Sequence, residues 1–395
     1  MSQKVVAFVF GTRPELIKMA PLILEAKANP NIKAIVCSTG QHREMLVPLY
    51  NLFEIKPDID FDLMKTNQNL VSLHSETMVR MISVIEQHKP DWVVVQGDTT
   101  SAHAAAMAAF YLKVPVAHVE AGLRTYDINS PFPEEMNRRA IGLVAKLHLC
   151  PTDVALKNLE TEKIDASSKL MTTGNTGIDA LTLVSKIIDT NPALKEEYQK
   201  KFNYLNLSRF VLATMHRREN FGSAQQEILK SFLYTAKTHK TDILFPVHPN
   251  PNVRNSVEAA FKEEMGKSVF KLQDMNDADI KNLAGGSGRI FLIDPLDYAS
   301  LVFLMKNCIF VMTDSGGIQE EAPTFKKKIL VLRNSTERPE GVTAGFSVLV
   351  GTDYQKITQE VALTLKSDSS ALEKLVNPFG DGQASKRIIK ALLQD

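Results

Sequence analysis

The regular alternation of short apolar runs with segments of helix length constrains this fold more than any other feature. The runs include "VVAFVF", "DWVVVQG" and "CIFVMTD", which are apolar on both faces and rich in β-branched residues. Such runs are typical of strands that lie inside a parallel sheet with helices on both sides. Because a helix-length segment follows nearly every run, the pattern predicts a doubly wound α/β fold.

The alternation extends over 395 residues, which is enough for two domains with a hydrophobic core in each. A polar stretch around 159–170, "LETEKIDASSKL", separates two groups of apolar runs. We therefore predict a first doubly wound domain over 1–168 and a second that starts at 169, with a deep cleft between them. Ligands of such sheets bind beyond the carboxyl ends of the strands, so function is sought in the residues after each apolar run.

The composition argues against several classes of partner. Lysine and arginine total 46 against 45 for aspartate and glutamate, without a basic block, so we expect binding to neither nucleic acid nor a membrane. The N-terminus lacks the pattern of a secretory signal, and no run approaches the roughly 20 apolar residues that cross a bilayer. We expect a cytoplasmic protein whose 3 cysteines are buried core residues.

The first apolar run ends in a turn, "GTRPELIK", that leads into a helix. Gly11 allows a sharp turn and Pro14 suits the first turn of a helix, so free N–H groups and the positive end of the dipole face the functional edge. Arg13 and Lys18 add two positive charges, which makes a phosphate the natural partner. The alternative for this stretch alone is a helix start with solvated charges.

A similar turn follows a strand in the second half, in "TDSGGIQEEAP". Ser315 closes the strand, while Gly316 and Gly317 permit close backbone approach at a helix start. Two bare helix ends, one in each domain, would hold a diphosphate and its attached groups. Either Glu320 or Glu321 would accept hydrogen bonds from ribose hydroxyls.

Three carboxylates fall on the functional edge of the first domain: Asp98 in "VVVQGDTTS", Glu120 in "AHVEAGLRT" and Glu134 in "SPFPEEMNRR". They are candidates for general acids and bases, with crowding that raises the pKa of at least one. Alternatively, Asp98 caps a helix and Glu134 faces a helix dipole. His216, in "LATMHRREN", ends a strand and would hold a phosphate or shuttle protons.

Two other strings predict no site. "GGSG" at 285–288 precedes a strand instead of following one, so it indicates a turn and not a dinucleotide fingerprint. "DIDFD", with Asp58, Asp60 and Asp62, lies in a polar connection without His or Cys and indicates a solvated loop, not a metal site.

In this order, the motifs resemble the non-hydrolysing UDP-N-acetylglucosamine 2-epimerases of bacteria. The resemblance spans nearly the whole chain and rests on "FGTRPELIKMAPL", "TGQHREML", "VQGDTTSA", "HVEAGLRT", "PFPEEMNRR", "MHRREN", "TDSGGIQEEAP" and "TERPEGV". It implies a glycosyltransferase-B-like fold of two Rossmann-like domains, and a homodimer. It also implies that the second domain ends at 382 and that a C-terminal helix at about 383–395 packs back on the first domain.

The implied activity is the reversible inversion of carbon 2 of UDP-N-acetylglucosamine, which gives UDP-N-acetylmannosamine for cell-surface polysaccharide synthesis. The implied route is anti elimination of UDP and syn re-addition through 2-acetamidoglucal. Since no carbonyl flanks carbon 2, its proton is not acidic, and the route needs acids, bases and stabilisation of the departing diphosphate. It needs neither a metal nor a redox cofactor.

The resemblance assigns roles to the candidate residues. Asp98, Glu120 and Glu134 form the acid and base group, in which the individual roles stay open. The catalytic His216 lies near the diphosphate, together with Arg13 and Lys18. The remaining UDP-binding positions are Ser315, Gly316, Gly317, Glu321 for the ribose, and Arg338.

Some positions depart from the family pattern. Leu301 stands where members often have an aromatic residue beside the uracil. Some members have a second, regulatory substrate site, whose matching residues here are Gln41, His42 and Arg43. Because Glu44 and Asn67 differ from those members, activation by substrate stays open.

Three other functions fit part of the pattern. A glycosyltransferase of the same fold would need an acceptor surface, and a hydrolysing epimerase would release free N-acetylmannosamine and UDP. A sugar-nucleotide sensor would have no use for three carboxylates. Incubation with UDP-N-acetylglucosamine and no acceptor would separate all of them.

Overall fold

The computed structural model describes residues 3–41, 43–64, 69–217, 220 and 222–394. The chain forms two compact units. Unit 1 comprises Met1–Leu183 and Phe379–Asp395, and unit 2 comprises Val184–Pro378.

Unit 1 is built on a parallel sheet with the strand order β3-β2-β1-β4-β5-β6-β7. The strands are β1 (Lys4–Phe10), β2 (Ile32–Ser38), β3 (Ile59–Asp60), β4 (Trp92–Gln96), β5 (Val116–Val119), β6 (Leu147–Cys150) and β7 (Lys169–Thr172). The helices between and after them are α1 (Arg13–Ala28), α2 (Arg43–Phe53), α3 (Leu70–His88), α4 (Thr100–Tyr111), α5 (Glu134–Val144), α6 (Asp153–Glu162) and α7 (Thr176–Thr190).

Unit 2 repeats this architecture with the strand order β10-β11-β9-β8-β12-β13-β14. The strands are β8 (Phe210–Thr214), β9 (Asp242–Pro246), β10 (Val269–Lys271), β11 (Ile290–Ile293), β12 (Phe310–Thr313), β13 (Lys328–Val331) and β14 (Ser347–Leu349). The helices are α8 (Pro192–Lys201), α9 (Ser223–His239), α10 (Pro251–Ala260), α11 (Asp277–Asn282), α12 (Tyr298–Asn307), α13 (Gly316–Glu321), α14 (Pro339–Thr343), α15 (Tyr354–Lys366) and α16 (Ser370–Glu373).

The last helix, α17 (Ala384–Gln394), belongs to unit 1 and packs against α1. Its apolar face, which includes Ile388 and Leu392, is fully buried. At its start, the carboxylate of Asp179 accepts the backbone N–H of Ser385 at 2.7 Å. A carboxylate at the N-terminal end of a helix interacts favourably with the positive end of the helix dipole. Both packing and this capping interaction therefore hold the C-terminal helix on unit 1.

The predicted α/β class is confirmed: in both units the paired strands run parallel and the central ones are buried on both faces. The boundary after 168 is wrong, because β7 begins at Lys169 and pairs with β6 in the first sheet. The polar stretch used for that boundary is the end of α6 and the turn that follows it. The units instead divide after Leu183, and again after Pro378 where 382 was predicted.

In each sheet the strand order reverses direction, between β1 and β4 in unit 1 and between β8 and β12 in unit 2. The loops beyond such a reversal diverge and leave room for a ligand. All three cysteines are buried, as predicted. Within the described residues, no helix combines the length and the apolar character needed to cross a membrane.

Candidate active site

In unit 1, a cavity of about 180 Å³ lies at the strand reversal. It is lined by the loops that follow β1, β4 and β5, and by α5. Three predicted residues line it together, namely Lys18, Asp98 and Glu120. The sequence motifs far apart in the chain therefore meet at one point.

Glu120 carries an ion pair and an unusual backbone. Lys18 Nζ lies 2.6 Å and 2.5 Å from the two carboxylate oxygens of Glu120, and the amide of Gln96 donates to the second oxygen. Glu120 has φ +63°, a left-handed conformation that costs energy for a residue with a side chain. The fold holds this carboxylate toward the cavity against its local backbone preference.

Asp98 is held by Arg138, whose guanidinium donates from Nη2 at 2.5 Å and from Nε at 3.0 Å. Burial raises the pKa of Asp98, the positive charge of Arg138 opposes that rise, and the nearby charge of Glu134 adds to it. The net direction is upward. A carboxyl group with a raised pKa can exchange a proton near neutral pH more readily than an ordinary aspartate.

Glu134 is the first residue of α5 and is half-buried. Its Oε2 atom is buried and has no hydrogen-bond partner among the described residues. Buried polar atoms are normally paired, so this carboxylate oxygen is open to a hydrogen bond from water or a ligand. Its charge acts on Asp98, which places the two carboxylates close to each other.

The start of α1 differs from the bare helix end predicted from the sequence. The carboxylate of Glu15 accepts the backbone N–H groups of Gly11 at 3.0 Å and Thr12 at 2.8 Å. Burial raises the pKa of Glu15, although the bonds it accepts act against the rise. Gly11 is required here, because a Cβ atom would lie 2.1 Å from Thr39 Oγ1. Arg13 follows this loop and is half-buried.

In unit 2, the strand reversal brings His216 against Asp314. His216 Nδ1 lies 3.0 Å from Asp314 Oδ1, and the backbone N–H groups of His216 and Arg217 also donate to this carboxylate. Burial alone would raise the pKa of Asp314, but the bonds from His216 and Arg217 outweigh it and lower the pKa. Asp314 is fully buried while His216 is 46% exposed, so the pair presents the histidine ring to ligands.

The same edge of unit 2 carries the predicted nucleotide residues. Ser315 lies beside His216 in an apolar pocket of about 210 Å³, which Leu301 also lines. Gly316 lies at the start of α13, where a Cβ would come within 3.6 Å of Arg338. Arg338 pairs with Glu320, so Glu320 is occupied by an ion pair.

The neighbouring Gly317 and Glu321 are accessible, Gly317 exposed and Glu321 partly so. Glu321 is therefore the better placed of the two acidic residues for a ligand.

The predicted regulatory residues are only partly described. Gln41 is half-buried and its side-chain oxygen accepts the Ser101 hydroxyl at 3.0 Å. His42, the side chain of Arg43 and Asn67 lie outside the described part of the chain. Asp58 accepts the backbone N–H of Val36 on β2, and Asp60, on the short strand β3, accepts the backbone N–H of Asp62.

Sequence reasoning missed several residues of the site. Arg138 and Gln96 were not singled out, because an arginine inside a helix and a glutamine at a strand end carry no pattern of their own. Glu15 had a readable signal: Thr12 and Glu15 have the spacing of a capping box, in which the glutamate returns to the start of its helix.

Two Rossmann-like units, with carboxylates at one strand reversal and a histidine–aspartate pair at the other, are the features of a nucleotide-sugar enzyme of the glycosyltransferase-B-like class. The chain belongs to the UDP-N-acetylglucosamine 2-epimerase family, whose model matches residues 24–393. This confirms the resemblance seen in the motifs.

Individual relatives agree along almost the entire chain. The UDP-N-acetylglucosamine 2-epimerase of Escherichia coli K12 is 42% identical over 388 residues, covering 97% of both chains. The crystal structure of the Neisseria meningitidis UDP-GlcNAc 2-epimerase with bound UDP-GlcNAc is 40% identical, covers 99% of this chain and 100% of that one, and has a TM-score of 0.84. The Methanocaldococcus jannaschii enzyme in complex with UDP-GlcNAc and UDP is 29% identical, covers 99% and 100%, and has a TM-score of 0.76.

Proposed function

We propose that this protein interconverts UDP-N-acetylglucosamine and UDP-N-acetylmannosamine by eliminating UDP and adding it back. A carboxylate of unit 1 takes the proton from carbon 2, the bond from carbon 1 to the diphosphate breaks, and UDP leaves with that electron pair. The product of this half is 2-acetamidoglucal with a double bond between carbons 1 and 2. A proton then arrives on the opposite face of carbon 2 and UDP returns to carbon 1.

The observation that carries this proposal is the meeting of Asp98 and Glu120 in one cavity at the strand reversal, with Glu134 near enough for its charge to act on Asp98. Proton removal and delivery on opposite faces require at least two acid or base groups. The raised pKa of Asp98 and the unpaired oxygen of Glu134 mark these two as the groups that exchange protons. Glu120 is already paired with Lys18, and we assign it to the same set without a separate role.

We assign the departing diphosphate to Arg13, Lys18 and His216. Positive and hydrogen-bonding groups aimed at charge that develops in the transition state usually give the largest single part of a rate enhancement. The Asp314 carboxylate accepts a hydrogen bond from Nδ1–H of His216, so the ring meets the diphosphate through Nε2, which stabilises the diphosphate only when that nitrogen also carries a proton. We assign the nucleotide to Ser315, Gly316, Gly317, Glu321 and Arg338, with the uracil in the pocket that Leu301 lines.

The test is one incubation of the protein with UDP-N-acetylglucosamine and no acceptor, followed by NMR of the mixture. We expect a new sugar nucleotide with the manno configuration at carbon 2 and negligible free sugar. Accumulation of free N-acetylmannosamine would indicate a hydrolysing enzyme. An unchanged substrate would contradict the proposal, provided that binding of UDP shows the protein to be folded.

Other parts of the proposal concern the protein's setting. We propose a homodimer, supply of UDP-N-acetylmannosamine to cell-surface polysaccharide synthesis, and no requirement for a metal or redox cofactor. The cytoplasmic location and the regulatory site at Gln41, His42 and Arg43 stay predictions.

A further inference from the structure

The turn that carries Asp98 is bonded by side chains from three other elements. The turn consists of Gly97, Asp98 and Thr99, between the end of β4 and the start of α4. Gly97 has φ +68°, which glycine adopts without strain, so the backbone reverses sharply at this position. The turn has other bonds as well: the N–H of Gly97 donates to the carbonyl of Val119 at 2.9 Å, and the hydroxyl of Thr99 caps α4 by accepting the N–H of Ala102 at 3.0 Å.

Each residue of the turn has its own partner. The Nε2 atom of the His118 ring, on β5, lies 2.7 Å from the carbonyl oxygen of Gly97. The side-chain amide of Asn137, on α5, donates to the carbonyl oxygen of Asp98 at 2.8 Å. The hydroxyl of Thr99 donates to Glu15 Oε1, on α1, at 2.7 Å.

The three partners are buried to the same extent. His118, Asn137 and Glu15 are each 1% exposed. Buried polar side chains cost free energy unless their hydrogen bonds are made, and a loop on a protein surface rarely requires three of them. The carbonyl acceptor fixes the proton of His118 on Nε2, and burial lowers the pKa of this ring to about 3, so it stays a neutral donor.

These partners reach the turn from elements that carry the other site residues. His118 lies two positions before Glu120, Asn137 follows Glu134 on α5, and Glu15 precedes Lys18 on α1. A movement of the Asp98 turn relative to any of these elements would break a buried hydrogen bond. The contacts therefore set the distance of Asp98 from the rest of the site as well as supporting the sheet.

We infer that His118, Asn137 and Glu15 are positioning residues, which fix the position of the Asp98 carboxylate relative to Glu120 and Glu134. This inference rests on the proposed role of Asp98 as an acid or base group. It goes further by assigning the geometry of the site to side chains that do not themselves react.

The test compares His118→Leu with His118→Gln, whose side-chain amide can restore a donor at the place of Nε2. We expect His118→Leu to lower kcat by about 10²-fold, the cost typical of a misplaced catalytic group, with KM and UDP binding nearly unchanged. We expect His118→Gln to recover most of that loss. Substitution of a residue that only supports the sheet would lower the melting temperature but would not lower kcat selectively while KM stays unchanged.

His148 offers a matched control. It lies beside His118 in register on β6 and is likewise fully buried, but the bonds described for the turn do not include it. We expect His148→Leu to lower stability and leave kcat of the folded enzyme near the wild-type value. If His118→Leu does not fold, Asn137→Leu removes a different bond to the same turn and has the same expected effect on kcat.

Asp98→Asn, measured alongside, separates the two proposals. If Asp98→Asn is inactive while His118→Leu and Asn137→Leu keep wild-type kcat, the positioning role is wrong and the proposed function stands. If Asp98→Asn is fully active, the role of Asp98 is wrong and the positioning role falls with it. Equal losses of kcat in the His118 and His148 leucine variants would also overturn the inference.

Discussion

At the scale of single residues, Arg138 controls the charge of Asp98. Burial raises the pKa of Asp98 and Arg138 opposes the rise. Arg138→Gln removes that opposition, so we expect the pKa of Asp98 to rise further and the acid limb of kcat/KM against pH to move to higher pH. Arg139→Gln, at the exposed next position on α5, is the control and should leave the limb in place. If the acid limb of the kcat/KM profile stays at the same pH or moves to lower pH in Arg138→Gln, the proposed effect of Arg138 on Asp98 is wrong.

Asp314 gives a second prediction at this scale. Its carboxylate accepts several donors, and an amide in its place would turn one acceptor into a donor facing them. We expect Asp314→Asn to lower the free energy of unfolding by about 1 to 3 kcal/mol, which urea unfolding would measure. We also expect the substitution to weaken catalysis, because Asp314 holds His216.

The difference in unfolding free energy between the wild type and Asp314→Asn should change with pH in a definite direction. The native pKa of Asp314 is lowered, so its stabilising contribution is complete above the unfolded value of about 3.9 and is lost as the pH falls through the native pKa. The stability gap between the wild type and Asp314→Asn should therefore narrow in acid. A gap that widens in acid would contradict the lowered pKa.

At the scale of helices and strands, the long apolar strands were predictable because burial on both faces leaves a continuous apolar run. The short edge strands β3, β10 and β14 were not, since two or three residues give no pattern. The boundary predicted after 168 places β7 in the wrong half, because the pairing of β7 with β6 is a tertiary contact that the sequence does not display.

The candidate site likewise contains residues that the sequence predicts and partners that it does not. Asp98 and Glu120 follow apolar runs of the first sheet and His216 follows one of the second, and the parallel-sheet rule places such residues at the carboxyl edge of their own sheet. Glu134 is instead the first residue of α5. The partners of these residues depend on tertiary contacts. The sequence predicted the positive charge of Lys18 at this site, but its ion pair with Glu120 could not be predicted, because the two residues meet only in the folded chain.

One buried ion pair lies at the amino ends of β9 and β11 in the second sheet. Arg289, just after the "GGSG" turn, bonds Asp242 at 2.7 Å, and its guanidinium also donates to the carbonyl of Gly286 at 2.9 Å. Removing one partner leaves the other charge buried and unpaired, so we expect Arg289→Met to cost about 3 to 5 kcal/mol of unfolding free energy. Denaturant unfolding checks this, and Arg254→Met, in a more exposed pair with Asp294, should cost far less.

At the scale of the whole molecule, the exposed apolar side chains of unit 1 support the proposed homodimer. α3, α4 and α5 pack side by side, and Val79, Phe110 and Leu143 on them are 64%, 50% and 76% exposed. An interface with a second copy would cover these exposed side chains. We expect light scattering to give a dimer for the wild type and a weakened dimer for Leu143→Arg. A monomeric wild type at assay concentration would contradict the homodimer.

In the proposed reaction, carbon 2 loses its proton to a carboxylate of unit 1 and receives a different proton on the other face. The most direct measurement is conversion of UDP-N-acetylglucosamine in deuterium oxide, followed by proton NMR at carbon 2 of the UDP-N-acetylmannosamine formed early in the reaction. We expect deuterium at carbon 2 in nearly every product molecule, and loss of that conversion in Asp98→Asn and Glu134→Gln. Product that keeps protium at carbon 2 would contradict the proposed reaction.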